Sequence, residues 1–187
     1  MSTAEETDLV TVITEDHRSV EKVFDELQRG NGSDEHRRNL ADHMIAELVR
    51  HSVAEEQFMY PATRKYVAGG DDIADHEISE HGEVEQLLKN LEGVDPSHAR
   101  FNELVSAVVE NVRHHVEEEE NDLLPKLRSA VSEQELRELG DRVLRAKEVA
   151  PTRPHPSAPK QPPANLIVQP GAGFIDKIRD GLGKRNT

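Results

Sequence analysis

Two stretches of the chain place histidine and glutamate at a spacing suited to holding metal ions. HSVAEEQFMYP occupies residues 51–61 and HVEEEENDLLP residues 115–125, and both read H-x-x-x-E-E-x-x-x-x-P. On a helix, residues four apart share a face and stand about 6 Å apart along the axis. His51 therefore points with Glu55, and His115 with Glu119. The two copies are separated by a constant 64 residues (115 − 51).

The same offset recurs upstream of each copy. EDHRSVEKVFDEL begins at Glu15 and SEHGEVEQLLKNLE at Ser79, so that His17 meets His81, Val20 meets Val84 and Leu27 meets Leu91. Shared amphipathic character explains the apolar matches but not the histidines, the paired glutamates or Pro61 and Pro125. Two H-x-x-x-E pairs on facing helices, with His17 and His81 from two others, bring four imidazoles and two carboxylates to one cavity. That donor set suits two cations of Fe, Mn or Zn, since the chain has no cysteine to offer thiolate. Helical bundles host such sites.

The remaining acids and histidines carry less weight. Glu56 and Glu120 are expected to be solvated or to sit behind the ligands, and Glu117 and Glu118 to be surface charge. His114 lies about 100° around the helix from His115, and its counterpart is Arg50, so it is set aside. His36, His43, His76 and His98 fall outside the repeat and read as surface histidines. Glu21 and Glu85, each four after a histidine, are weaker candidates.

Positioning these residues requires helices. Leu9, Val12, Ile13, Val20, Val23, Phe24 and Leu27 recur at helical spacing over about residues 8–29, ended by Gly30 and Gly32. Ser33 is a candidate N-cap for a second helix, expected to stop near Tyr60 before Pro61, with a short turn of helix to follow before Gly69 and Gly70. A third helix spans roughly 72–91. A fourth opens near Pro96 and is ended or kinked at Pro125. Ser132 with Glu135 forms a capping-box signature for a fifth, to about Val149, with Leu136, Leu139, Val143 and Leu144 on one side. This helix has no partner in the repeat and is expected to cover an open end or flank of the bundle. The fold class is all-α: two helix-pair repeats plus a fifth helix, over residues 8–149.

Beyond Ala150 the composition changes. Seven of the ten prolines fall in PTRPHPSAPKQPPANLIVQP, which reads as an extended, disordered linker over residues 150–170. His155 within it is a poor ligand candidate. Residues 171–187 carry Phe174, Ile175, Ile178 and Leu182 at helical spacing, a short amphipathic helix for docking on the bundle or on a protein partner. The tail offers no ligand, so its deletion is expected to leave the metal site intact.

A formal net charge of −14 disfavours nucleic acid and anionic membranes as partners. The chain contains no apolar run of membrane-spanning length. Its start carries Glu5, Glu6 and Asp8 rather than a basic-then-apolar leader, and a cytoplasmic location is expected.

These motifs resemble the hemerythrin superfamily, in its bacterial hemerythrin-like (HHE cation-binding) branch, over about residues 8–127. The resemblance implies an antiparallel four-helix bundle around a non-haem di-iron centre with an oxo or hydroxo bridge. It implies that His17 and His51 hold one iron, His81 and His115 the other, and that Glu55 and Glu119 bridge. Two departures from the oxygen carriers stand out. Glu77, four residues before His81, occupies the place of a fifth histidine and joins the metal candidates, either as a ligand in a more carboxylate-rich site or as surface charge, and Glu119 follows His115 by four residues where the carriers have an aspartate five after. Both tell against reversible oxygen transport. Two functional readings follow: a centre that reacts with peroxide, O₂ or NO, or a module that senses oxygen or iron without turnover.

Overall fold

The computed structural model describes residues 7–162, 164–165, 172–173, 176 and 180. Helix α1 (Leu9–Arg29) begins where the Asp8 carboxylate accepts from the Thr11 N–H, and ends where Gly30 turns left-handed at φ 67°. Helix α2 (Asp34–Ala54) is capped by Ser33, with Asp34 and Glu35 favourably placed in its first turn. Helices α4 (Gly70–Leu91) and α5 (Ala99–Glu118) form the second pair. His98, read as a surface histidine, is the cap of α5: its Nδ1 accepts from the Arg100 N–H at 3.2 Å.

The prolines do not end their helices. A π-helical turn, Glu55–Met59, joins α2 to α3 (Tyr60–Tyr66), and a matching turn, Glu119–Leu123, joins α5 to α6 (Leu124–Ala130). The Tyr60 N–H reaches back five residues to the Glu55 carbonyl, and the Leu124 N–H to that of Glu119. Each proline then falls in the first turn of the next α segment, where a missing N–H costs little. The helices run on past Tyr60 and Leu124, and both wide turns open on a glutamate of the metal motif.

Apolar side chains lie in two layers with the polar residues between them. On one side Val20, Phe24, Met44, Leu88, Phe101 and Val108 pack together. On the other, Leu9, Ile13, Met59, Leu123 and Leu127 pack with Leu136, Leu139 and Val143 of α7 (Glu133–Val149). Along α1, Ile13 belongs to one layer, Val20 to the other, and His17 lies between. Helix α7 covers the flank formed by α1 and α2. Its Leu144, expected on the inner side, is exposed, because the stripe facing the bundle runs through Leu136, Leu139, Val143 and Ala146.

The tail is not an extended linker where it is described. Thr152 is buried and donates from its N–H to Asp176, while Arg153 pairs with Glu92 and Asp180, each at 2.7 Å. Composition indicated disorder, but Arg153 on Glu92, the C-cap of α4, and Lys160 on Glu85 within α4 hold the segment against that helix. Ala172, Gly173, Asp176 and Asp180 are helical. The predicted apolar positions Phe174, Ile175, Ile178 and Leu182 lie outside the described residues.

Candidate metal centre

Each of the four repeated histidines is buried and held from behind by a carboxylate on another helix. Nδ1 of His17 faces Glu120 at 2.9 Å, that of His51 faces Asp16 at 3.3 Å, that of His81 faces Glu56 at 3.3 Å and that of His115 faces Glu80 at 2.8 Å. The rear carboxylates obey the repeat as well: Asp16 corresponds to Glu80, and Glu56 to Glu120. A carboxylate at Nδ1 favours the tautomer that donates outward and turns the Nε2 lone pair inward, the arrangement ligating histidines need.

Glu55 and Glu119 lie between the four Nε2 atoms, both at 0% exposure. Oε1 of Glu55 is 3.1 Å from His51 Nε2, and Oε2 is 3.3 Å from His81 Nε2. Oε2 of Glu119 is 3.4 Å from His17 Nε2, and Oε1 is 3.6 Å from His115 Nε2. Each carboxylate thus reaches one imidazole of either pair. His17, His51, Glu55 and Glu119 offer atoms that all lie within 4.8 Å of one another, as do Glu55, His81 and His115. His17 Nε2, both Glu55 oxygens and Glu119 Oε2 have no aligned hydrogen bond although they are buried, so cations placed among them would satisfy donors that the protein leaves unmatched. The residues fit a pair of metal ions.

The charges fit as well. Burial and the neighbouring Glu119 push the Glu55 carboxyl well above its ordinary range. Burial also works to raise Glu119, but His115, His17 and His51 outweigh it and hold Glu119 at about 2. Burial works to lower His115, yet Glu119, Glu77 and Glu80 drive it well above the usual imidazole range. Burial and His115 drive His81 well below it. Burial raises Glu56 to about 8 against the pull of Lys160. Without metal, protons stand in for the missing positive charge.

A narrow cavity lined by the four histidines, Val20 and Val112 opens onto this cluster, with about 20 Å³ of free volume. That admits ions and water-sized molecules. Tyr60 closes the other side. Its hydroxyl donates to Glu119 Oε1 at 3.1 Å and lies 3.0 Å from His81 Nε2.

The hemerythrin HHE cation-binding domain model matches residues 8–127. The chain belongs to this family. A hemerythrin-like protein of Schizosaccharomyces pombe is 31% identical over 173 residues, covering 92% of this chain and 85% of that protein. A DNA nickase of Nostoc sp. is 29% identical over 124 residues, covering 66% of this chain but 34% of the nickase. The crystal structure of a hemerythrin HHE cation-binding domain-containing protein from Mycobacterium kansasii superposes with a TM-score of 0.65 at 22% identity, over 75% of this chain and 85% of that one. That likeness shows the fold: a hemerythrin-like helical bundle.

Within this HHE domain the sequence candidates gather unevenly. His17, His51, Glu55, His81, His115 and Glu119 converge on one cluster. Glu77 is buried at its edge, 3.0 Å from His115 Nδ1, and forms a further ligand-spaced group with His115 and Glu119. Glu21 and Glu85 point elsewhere: Glu21 receives Arg113, and Glu85 receives Lys160. Glu56 is not solvated; it is 2% exposed behind His81. His76, His114 and Glu118 lie on the surface in mutual ion pairs, and His155 pairs with Asp176. Sequence reasoning missed Asp16, Glu80 and Tyr60. The first two carried a signal, since each immediately precedes a repeated histidine. Tyr60 carried none, because its counterpart is Leu124. Among the described residues no helix is long and apolar enough to cross a membrane.

Proposed function

We propose that this HHE domain holds two oxo- or hydroxo-bridged irons and reacts with peroxide, O₂ or NO, in defence against oxidative or nitrosative stress. One observation carries the reading: Glu55 and Glu119 each set one oxygen against either histidine pair, as two bridging ligands would be set. His17 and His51 then serve one iron and His81 and His115 the other, with Glu77 adding carboxylate beside His115. Bound iron would supply the redox electrons. The chain's own residues supply the rest. Two apolar layers exclude bulk water, and the cavity restricts entry to small molecules. Burial and the nearby carboxylates push the Tyr60 phenol well above its ordinary value, so it stays protonated and can donate to an oxygen arriving beside His81 and Glu119. A carboxylate-rich set stabilises the more positive oxidation state, which favours turnover over reversible oxygen carriage.

The test is anaerobic reconstitution with iron, elemental analysis, and optical spectra after adding O₂ and then H₂O₂. About two irons per chain and a spectrum that changes with oxidant support the reading. One tightly held zinc with no iron would overturn it.

A further inference from the structure

The four histidines, Glu55 and Glu119, and the carboxylates behind the histidines correspond residue for residue between the two halves of the centre, but the cations that steady those rear carboxylates do not. Behind His17, Glu120 is gripped by Arg18 of the same helix, whose guanidinium donates to both oxygens at 2.9 and 2.6 Å. The residue corresponding to Arg18 is Gly82, which has no side chain to reach Glu56 behind His81. A cation nevertheless stands there. Lys160 reaches in from the tail, its Nζ 3.4 Å from Glu56 Oε1 and 2.6 Å from Glu85 Oε2. The segment around it is anchored on both sides. The His155 N–H donates to Glu85 at 2.9 Å, and the Asn165 side-chain amide donates to the Lys160 carbonyl at 3.0 Å and to the Glu56 carbonyl at 3.4 Å. A pocket lined by Glu56, His81, Glu85, His155, Ala158 and Lys160 marks where the tail meets the centre.

We propose that Lys160 is a positioning residue for His81: the tail supplies through Lys160 the clamp on Glu56 that α1 supplies through Arg18 on Glu120. Residues 151–162, with Asn165, are then a strap that completes one half of the centre. This revises the expectation that the tail can be deleted without consequence. Gly82 allows an internal test, because a Cβ added there meets nothing within 4 Å, and an arginine at 82 would stand where Arg18 stands in the other half.

The experiment compares full-length wild type, Lys160→Met, Gly82→Arg and the double variant. The first readout is ¹⁵N NMR of the His81 imidazole in metal-free protein at alkaline pH, where an ordinary imidazole is neutral. Wild type is expected to show the single Nδ1–H tautomer, Lys160→Met a mixture, and the double variant the single tautomer again. The second readout is iron loss to a chelator. One of the two irons is expected to leave Lys160→Met about three- to tenfold faster, at the low end of what outer hydrogen-bond partners of ligating histidines contribute. A wild-type tautomer in Lys160→Met overturns the clamp. A double variant that behaves like Lys160→Met, where Gly82→Arg alone folds normally, overturns its equivalence to Arg18. Only the iron arm rests on the di-iron reading, so a wrong metal count sinks that reading and leaves the tautomer result to decide Lys160.

Discussion

The Tyr60 hydroxyl sits 3.1 Å from Glu119 Oε1 on the opposite helix pair and 3.0 Å from His81 Nε2, so one buried phenol touches both a candidate bridging carboxylate and a candidate terminal imidazole. It breaks the twofold likeness of the site, because the other half has leucine in its place. It gives the two histidine pairs different surroundings.

Tyr60→Phe removes that hydroxyl and keeps the ring. The variant is expected to retain its iron and to lose about 1 kcal/mol of stability, the net value of a buried hydrogen bond. Its reaction with peroxide is expected to slow by about a hundredfold, the lower end for loss of a positioned proton donor. Stopped-flow traces on protein of measured iron content check this. Unchanged rates would remove Tyr60 from the chemistry.

Glu55→Gln and Glu119→Gln should both lose iron, yet shift the stability of metal-free protein in opposite directions. Glu55 has its carboxyl raised in the folded state, so wild type forfeits stability as pH climbs from about 4.5 through the raised value. Glutamine removes that cost, and metal-free Glu55→Gln is expected to be the more stable at neutral pH. Glu119 is depressed to about 2, so its contribution is present above about 4.5 and fades as pH falls toward 2. Metal-free Glu119→Gln is expected to be less stable than wild type by on the order of 2 kcal/mol at neutral pH. Exposed Glu117→Gln should change stability by less than about 0.5 kcal/mol and leave iron binding alone. Denaturant unfolding at several pH values reads all three.

Metal loading should release protons. Burial and Glu119 raise Glu55 well above its ordinary value, and, against its burial, the surrounding carboxylates raise His115, so the metal-free site favours the protonated form of each and a cation must displace those protons. About two protons per chain are expected to appear in weakly buffered solution at pH 7, and metal affinity should rise with pH. Release of fewer than about one would show that the charge balance around Glu55 and His115 is misassigned.

Gly70 and Gly82 both lie in α4 but should answer alanine differently. A Cβ at Gly70 would fall 2.1 Å from the Thr63 carbonyl oxygen, where α3 presses on the start of α4, so Gly70→Ala is expected to cost about 1–3 kcal/mol. Gly82 has open space, and Gly82→Ala is expected to gain about 0.5–1 kcal/mol from helix propensity. Thermal unfolding of the two variants gives the comparison.

The sequence by itself determined which six side chains gather at the centre of this protein. Helical periodicity puts His51 with Glu55 and His115 with Glu119, and the 64-residue offset pairs His17 with His81; together these are enough to draw six side chains into one cavity. Local spacing governs which residues share a helix face, so this much is legible in one dimension. The tertiary structure decided what stands behind those residues. Whether a glutamate is solvated or backs a histidine depends on the neighbouring helix: Glu120 reaches His17 across 103 positions of chain, and Lys160 reaches Glu56 across 104. The prolines misled for a related reason. Their cost depends on whether the preceding turn widens to absorb the missing N–H, as Glu55–Met59 and Glu119–Leu123 do. Composition marked the tail as unable to build a core of its own. It carried no sign that Arg153, His155 and Lys160 would find acidic partners on a surface that folding assembles.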